Sequence, residues 1–439
     1  MKALISVHKA VDAAPLALFR MGLGGLMAAE GFGAIITGWV RLNYVEVDFT
    51  FPFIGFEFLD VLCGPQAYVV YSLLGVFGLM IAAGFRYRLA ALGYFMLWTM
   101  VYLGQKTSYN NHYFLLWILS FLICFVPANK YASLDVKHGR VEKSDSVAYG
   151  YVFLFKFLLL IVYVYAAIAK LYPDWLSGEA VRSMLSTKGD MPVVGPWVNA
   201  DVLIFTIAYG GILFDLFIIP ALWYKPTRFM AFLISIGFHL FNSIVFQIGI
   251  FPYLMLVSTV LYFDAALMRR IFFRNSWTGD DALRINKILR YRTVGAVFLF
   301  GVMIALPLRH HLYPGNVHWT EEGHRLSWHM MLRMKHGTAT FKVYDSDGVF
   351  LKAHYPDQEI WNKHAQRIGT RPDFVWQYAQ RLAKDYQSNG VSNVAVYANV
   401  RTSLNGRPLK PLIDPSANLA AEPWSHFRHH EWIYLSPDP

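Results

Sequence analysis

A single lysine at the end of a long apolar stretch is the first candidate for chemistry in this chain. Lys170 ends a predicted apolar helix over residues 149–169, and it is followed by Tyr172, Asp174 and Trp175. Desolvation disfavours an ammonium group, so a lysine in a water-poor site can act as a free amine and general base. An interfacial lysine whose ammonium reaches the lipid headgroups is the alternative interpretation, and position alone leaves both open.

A run of polar side chains opens another predicted apolar span. Residues 106–112 read Lys-Thr-Ser-Tyr-Asn-Asn-His. Helix capping by Ser108 or Asn110 would explain one or two of these residues but not the whole run. The imidazole of His112 could donate a hydrogen bond to a developing anion.

Further ionisable and polar residues lie inside predicted spans. His239 and Asn242 are three residues apart and share one helix face. Asp215, Arg20 and Glu30 also lie within apolar stretches. Such groups are costly in hydrocarbon, so they either pair with one another or line a cavity. A buried hydrogen-bond network that fixes helix packing is the alternative interpretation for each of them.

Several familiar kinds of site are missing from the sequence. There is no HExxH or CxxC pattern, no glycine-rich phosphate loop and no GxSxG elbow. The two cysteines, Cys63 and Cys124, give neither a disulfide framework nor a zinc pattern. The sequence therefore predicts chemistry without a bound metal.

The elements that must position these residues are apolar helices. The chain has 439 residues, of which 56% are hydrophobic and only 15% are charged, whereas soluble chains carry about 25% charged residues. Runs long enough to span a bilayer predict eight or nine transmembrane helices. The predicted spans cover residues 14–38, 66–84, 88–104, 113–127, 149–169, 202–223, 227–249, 250–268 and 291–308.

Basic residues predict how these spans are oriented. The formal net charge is +10, and the basic residues concentrate in alternate loops, the last of which covers residues 269–292. The positive-inside rule then places the N-terminus in the cytoplasm and the chain after residue 309 outside. The basic excess is explained by anionic lipid, so nucleic acid is not implied as a partner. The sequence contains no N-x-S/T sequon, which favours a bacterial inner membrane.

The last part of the chain has a different character, so we divide it into a transmembrane helical domain, 1–308, and an extracytoplasmic α+β domain, 309–439. Alternating segments around residues 345–348 and around Asn405-Gly406 predict two β-hairpins. A helix is predicted over residues 359–385, with a break near residues 369–372. We expect a small β-sandwich-like fold.

Specific strings of residues go further than composition. Lys106–His112, Lys170-Leu-Tyr-Pro-Asp-Trp175, Gly210-Gly-Ile-Leu-Phe-Asp215 and Phe238-His-Leu-Phe-Asn-Ser243 resemble segments of the vitamin K-dependent γ-glutamyl carboxylase family, in the same order. Ser327-Trp328 and Trp424 are similar to its lumenal domain. The general horizontally transferred transmembrane superfamily shares the helical core and need not carboxylate anything.

The resemblance implies a reaction and roles for residues. Lys170 would deprotonate reduced vitamin K, the hydroquinone, which reacts with O₂ and removes the γ-proton of a peptide glutamate. CO₂ then adds, giving γ-carboxyglutamate and vitamin K epoxide. By analogy His112 stabilises the oxyanion. The candidates for holding the cofactor are His239, Asn242, Asn110, Asn111 and Asp215.

Two alternatives to this reading stay open. A homologue could oxygenate the quinol without carboxylating peptides, or the chain could be a non-enzymatic membrane scaffold for exported proteins. The leading interpretation implies an exported glutamate-containing peptide and membrane lipid as partners. The quinone side chain and the oligomeric state are not given by the sequence.

Overall fold

The computed structural model describes residues 9–274 and 287–435, so that residues 275–286 of the last basic loop lie outside this description. Most of the described chain is helical. The helices are α1 (Ala14–Ile36), α2 (Gln66–Ala83), α3 (Tyr87–Gly104), α4 (Asn111–Ile123), α5 (Leu134–Lys137), α6 (Tyr149–Ala169), α7 (Pro173–Leu176), α8 (Glu179–Leu185), α9 (Asp201–Trp223), α10 (Arg228–Phe241), α11 (Phe251–Thr259), α12 (Ala265–Met268), α13 (Lys287–Ala305), α14 (Val317–Thr320), α15 (Pro356–Glu359), α16 (Asn362–Ile368) and α17 (Pro372–Ser388). The strands are β1 (Ala10–Asp12), β2 (Ser146–Ala148), β3 (Lys335–Tyr344), β4 (Phe350–His354), β5 (Ala395–Leu404) and β6 (Lys410–Pro411).

Within the described ranges, four helices are long and apolar enough to cross a membrane. They are α2, α6, α9 and the continuous stretch Arg228–Phe246. A fifth span results if Phe251–Tyr262 and Ala265–Phe273 count as one, but these two pieces meet at 112°. The predicted span over 250–268 is therefore bent sharply, and its crossing of the membrane stays a prediction. Crossing by α1, α3, α4 and α13 stays a prediction, because length and hydropathy do not establish it.

Small residues let α1 and α2 approach to backbone contact. A Cβ atom added at Gly24 would lie 2.3 Å from the backbone N of Ala82, and one at Gly78 would lie 2.4 Å from the backbone N of Ala28. The hydrophobic effect does not drive helices together in lipid, so close van der Waals packing of this kind supplies the attraction between them.

This contact predicts opposite effects for two adjacent glycines. Gly24→Ala should lower the free energy of unfolding by about 1–3 kcal/mol, because the new methyl group overlaps the backbone of α2. Gly25 has no atom within 4 Å of its added Cβ, so Gly25→Ala should be neutral or slightly stabilising through helix propensity. Thermal unfolding in detergent measures both. Equal melting temperatures for the two variants would contradict the packing argument.

The C-terminal part is a four-stranded antiparallel sheet in the order β4-β3-β5-β6, covered on one face by helices. Both predicted hairpins and the helix break are confirmed: β3 pairs with β4, β5 pairs with β6, and α16 ends at Ile368 before α17 begins at Pro372. The expected sandwich is wrong. Phe341 and Val396 of the sheet share a core with Phe374 and Tyr378 of α17, so a helix fills the place of a second sheet. The only other sheet among the described residues pairs β1 with β2.

Aromatic and charged side chains join the two parts. Phe51, from the connection between α1 and α2, lies 4.8 Å from the ring of Phe374 and 5.1 Å from that of His364, measured between centroids. Lys106 forms a buried ion pair with Asp373. These contacts fix the C-terminal domain against the end of the helices at which α4 begins.

Candidate functional site

A large cavity lies between the helices and the C-terminal domain. Its volume is about 690 Å³, within the range of small-molecule sites. All seven residues that the sequence predicts for a site line it, although they come from four separate segments of the chain. They are Asn110, Asn111, His112, Lys170, Asp215, His239 and Asn242.

Lys170 lies at the C-terminal end of α6, and its amine is held inside the protein. The residue is only 8% exposed, whereas the interfacial interpretation predicts an amine that reaches the headgroups. Nζ donates hydrogen bonds to Oδ2 of Asp215 at 2.6 Å and to the carbonyl of Ala166 at 3.2 Å. It also lies 5.5 Å from the centre of the Trp175 ring.

The ion pair with Asp215 is a feature that the sequence argument did not foresee. Asp215 is 5% exposed and lies on α9, 45 residues further along the chain. Burying two charges costs desolvation energy on both, so each group depends on the other, and removing either one would leave an uncompensated buried charge. Lys170 is therefore one member of a buried pair rather than an isolated amine.

His239 and Asn242 lie on the same stretch of helix, as their spacing predicts. Nε2 of His239 shares a hydrogen bond of 2.9 Å with the hydroxyl of Tyr163. Its Nδ1 is buried and has no partner among the residues that the structure describes. Nδ2 of Asn242 donates to the carbonyl of Phe238 at 2.8 Å. His239 thus presents an unused polar atom in an otherwise aromatic environment, where it can meet a ligand.

The polar run at 106–112 divides between structure and cavity. Asn110 caps α4 by accepting a hydrogen bond from the Tyr113 backbone N–H at 2.7 Å, which confirms the capping interpretation for this residue. Nδ2 of Asn111 donates to the carbonyl of His329 at 2.9 Å. The ring centroid of Phe251 lies 6.3 Å from that of His112 and 6.1 Å from that of His239. Both imidazoles therefore flank one aromatic ring of the cavity.

Other ionisable residues from the sequence argument do not line this cavity. Arg20 donates to the carbonyls of Ala128 at 3.0 Å and Ala132 at 2.7 Å, so its role is to fix the chain after α4. Glu30 is half-buried in α1, away from the cavity lining. The structural interpretation holds for Arg20.

The end of the cavity nearer the C-terminal domain carries mostly positive charge. Arg333 Nε donates to Glu321 Oε1 at 2.7 Å, and the Nζ of Lys335 lies 3.5 Å from the same oxygen. Two further arginines, Arg367 and Arg371, line this end. We call these four basic residues the cationic end. One carboxylate, Glu321, faces four basic groups.

The electrostatics of the cationic end follow from burial and from this imbalance. Burial alone would raise the pKa of Glu321, but the neighbouring cations, Arg333 foremost, hold it well below its ordinary value. Burial lowers the pKa of Lys335 to about 8, against the opposing effect of Glu321. Burial and the nearby Arg367 lower the pKa of Arg371. The Nη1 atom of Arg371 is buried and unpartnered among the described residues. The cationic end is thus suited to an anion.

Sequence reasoning missed the cationic end because its members come from separate segments. Lys335 begins β3 and Arg333 lies two residues before it, whereas Arg367 and Arg371 lie on either side of the end of α16. The only signal available was the pair of arginines four residues apart immediately before Pro372. Nothing in the spacing places that pair opposite Lys335.

Two family models match the chain. The HTTM domain matches residues 8–266. The lumenal domain of vitamin K-dependent gamma-carboxylase matches residues 289–438. No solved structure matches the chain.

Proposed function

Because the chain belongs to the vitamin K-dependent gamma-glutamyl carboxylase family, we propose that it carboxylates peptide glutamate to γ-carboxyglutamate and couples this to vitamin K epoxidation. One observation carries the proposal: a single cavity is lined both by the buried Lys170–Asp215 pair and by the four basic residues of the cationic end. A base for the hydroquinone and a place for a carboxylate are the two requirements of the reaction.

The apolar end of the cavity fits a reduced naphthoquinone. It is lined by aromatic rings, with one unused polar atom, His239 Nδ1, among them. The rings are those of Tyr163, Trp175, Phe214, Phe238, Phe246 and Phe251. When bound there, reduced vitamin K supplies, with O₂, a base strong enough to remove a γ-proton from glutamate. No side chain is that basic at neutral pH.

The residues of this chain then handle protons and charge. Lys170 takes a proton from the hydroquinone, and Asp215 orients the amine and shares the proton. His112 donates to the developing oxyanion. His239, Asn242, Asn110 and Asn111 position the ring system. The aromatic lining excludes water, which would otherwise quench a strong base.

The cationic end is the proposed place for the substrate side chain. Guanidinium groups bind carboxylates through charge-assisted hydrogen bonds, and the buried Nη1 atom of Arg371 has no partner in residues 9–274 and 287–435. Addition of CO₂ makes a second carboxylate on the same side chain. The excess of positive charge over Glu321 would stabilise that product.

The apolar helices and the lumenal-domain match fit an integral membrane protein with an extracytoplasmic domain. We place the N-terminus in the cytoplasm of a bacterium and the domain boundary near residue 308. The substrate is then an exported glutamate-containing peptide. Its entry from outside agrees with the position of the cationic end between the helices and the C-terminal domain.

The direct test incubates the purified protein with reduced vitamin K, a glutamate peptide and labelled CO₂. The expected result is vitamin K epoxide together with label in the peptide. Epoxide without label would favour the quinol oxygenase alternative, and neither product would favour the scaffold. The cationic end supports the carboxylase over the oxygenase, since oxygenation of a quinol needs no buried group of arginines.

Arg371→Gln should separate the two half-reactions. Losing a buried charge partner costs about 2–5 kcal/mol, so the KM for the peptide should rise at least tenfold, while peptide-independent epoxidation stays near the wild-type rate. Steady-state kinetics of label uptake and of epoxide formation measure both. Arg401→Gln, which changes an exposed arginine of β5, is the matched control. An unchanged peptide KM would remove Arg371 from the substrate site.

A further inference from the structure

Histidine rings form a continuous row beside the cavity. The row begins at Tyr172, two residues after Lys170, and distances along it are measured between ring centroids. His318 lies 4.4 Å from Tyr172, His329 lies 5.1 Å from His318, and His310 lies 4.6 Å from His329. The row ends at His311, 3.9 Å from His310. His329 lines the cavity, His310 is half-buried and His311 is exposed. The row therefore leads from the cavity to the protein surface.

Two buried nitrogen atoms in this row lack partners. The Nδ1 atoms of His318 and His329 are both buried and unpartnered among the described residues, and the two side chains are 3% and 8% exposed. Buried polar atoms are nearly always satisfied, by water if not by protein. Water fits these two positions, because it both donates and accepts hydrogen bonds. One bridging water joins nitrogen atoms up to about 5.6 Å apart, two hydrogen bonds of about 2.8 Å each.

Burial disfavours the charged form of three imidazoles in this row. Burial lowers the pKa of His329 to about 3, and His310 and Arg333 act in the same direction, while Glu321 opposes them. Burial also lowers the pKa of His318, and burial together with His311 and Arg309 lowers that of His310. These three rings are neutral at neutral pH, each with one N–H and one lone pair. In His310 the N–H is on Nδ1, which donates to the carbonyl of Pro307 at 2.7 Å, so Nε2 carries the lone pair. Because the imidazolium form is disfavoured, a proton passes such a ring by arriving at one nitrogen while the other nitrogen releases its own.

The proposed reaction leaves a proton that must leave this enclosed site. The hydroquinone and O₂ give the epoxide and one water molecule. The glutamate γ-carbon loses a proton and gains CO₂ as a carboxylate. Summed, one proton per turnover remains. We infer that His318, His329, His310 and His311, joined by bound water, form the exit route for this proton from the cavity to the outer surface. This inference rests on the proposed function.

Buffer-dependent turnover tests the exit route. In His329→Ala, multiple-turnover epoxidation in dilute buffer should fall about tenfold or more, as for other positioned proton-transfer groups. The first turnover should keep its wild-type rate, and added imidazole should restore the steady state. His310→Ala should behave in the same way, which guards against a folding defect in one variant. His336→Ala, an exposed histidine outside the row, should change nothing.

Each other outcome overturns the inference. A variant with wild-type turnover in dilute buffer shows that the proton leaves elsewhere. A variant that is slowed equally in the first turnover, and is not restored by imidazole, shows a structural role only. A wild-type protein that forms no epoxide at all contradicts the proposed function itself, and with it the proton that this row would carry.

Discussion

Replacing Lys170 by alanine is expected to lower epoxide formation and CO₂ incorporation together, by roughly 10²- to 10⁴-fold. The amine is buried, and its contacts are with Asp215 and the carbonyl of Ala166. Without it, no basic side chain at that position can take the hydroquinone proton, and every later step depends on that one. Parallel assays of epoxide and labelled product on wild type and variant measure the effect.

Lys170→Arg sharpens this test. Arginine preserves the positive charge and the pairing with Asp215, but its guanidinium does not lose a proton in proteins. If Lys170 acts as a base, the arginine variant should be as inactive as the alanine variant. Recovery of activity in Lys170→Arg would instead assign the residue a structural ion-pair role. Lys188→Ala, in the segment between α8 and α9, is the control and should retain full activity.

Glu321→Gln is expected to destabilise the protein by about 3–5 kcal/mol, the usual cost of removing one partner from a buried ion pair. The carboxylate of Glu321 is 2% exposed, contacts Arg333 and Lys335, and lies 3.1 Å from Nδ1 of His324. Its loss leaves buried positive charges without compensation. The melting temperature in detergent should fall clearly.

The control for this prediction is Glu57→Gln, because Glu57 is exposed and begins a short helical turn. It should leave the melting temperature unchanged. A Glu321→Gln protein as stable as wild type would mean that the Glu321 carboxylate does not compensate the charges of Arg333 and Lys335, and it would contradict this prediction.

The helical elements could be predicted because apolar runs and their interruptions are local properties. The ends of α6 and α9 agree with the predicted spans within one residue. The bend after Tyr262 could not be predicted, since the two pieces together have the length and hydropathy of one straight span. Whether the shorter helices cross the bilayer stays a prediction for the same reason.

The candidate site could be predicted in its membrane half only. Lys170 and His112 stood out because charged or polar groups are rare in apolar sequence. The pair of Lys170 and Asp215 joins the end of α6 to α9. The cationic end joins the start of β3 to α16 and the break that follows it. These are products of tertiary packing, to which periodicity and local composition give no access. The β-sandwich expectation failed likewise, because sheet alternation shows that one face is buried but not what covers it.

The aromatic side chains between α1 and α2 have a consequence for how this protein can be divided. Phe49 and Phe51 are 5% and 2% exposed, and they belong to the same hydrophobic core as Phe341 and Phe374 of the C-terminal domain. Cutting the chain at residue 308 would therefore remove the buried rings of Phe49 and Phe51 from the core of the C-terminal fragment. The segment between α1 and α2 therefore belongs structurally to the C-terminal domain, and a fragment that begins at residue 309 lacks part of its own core.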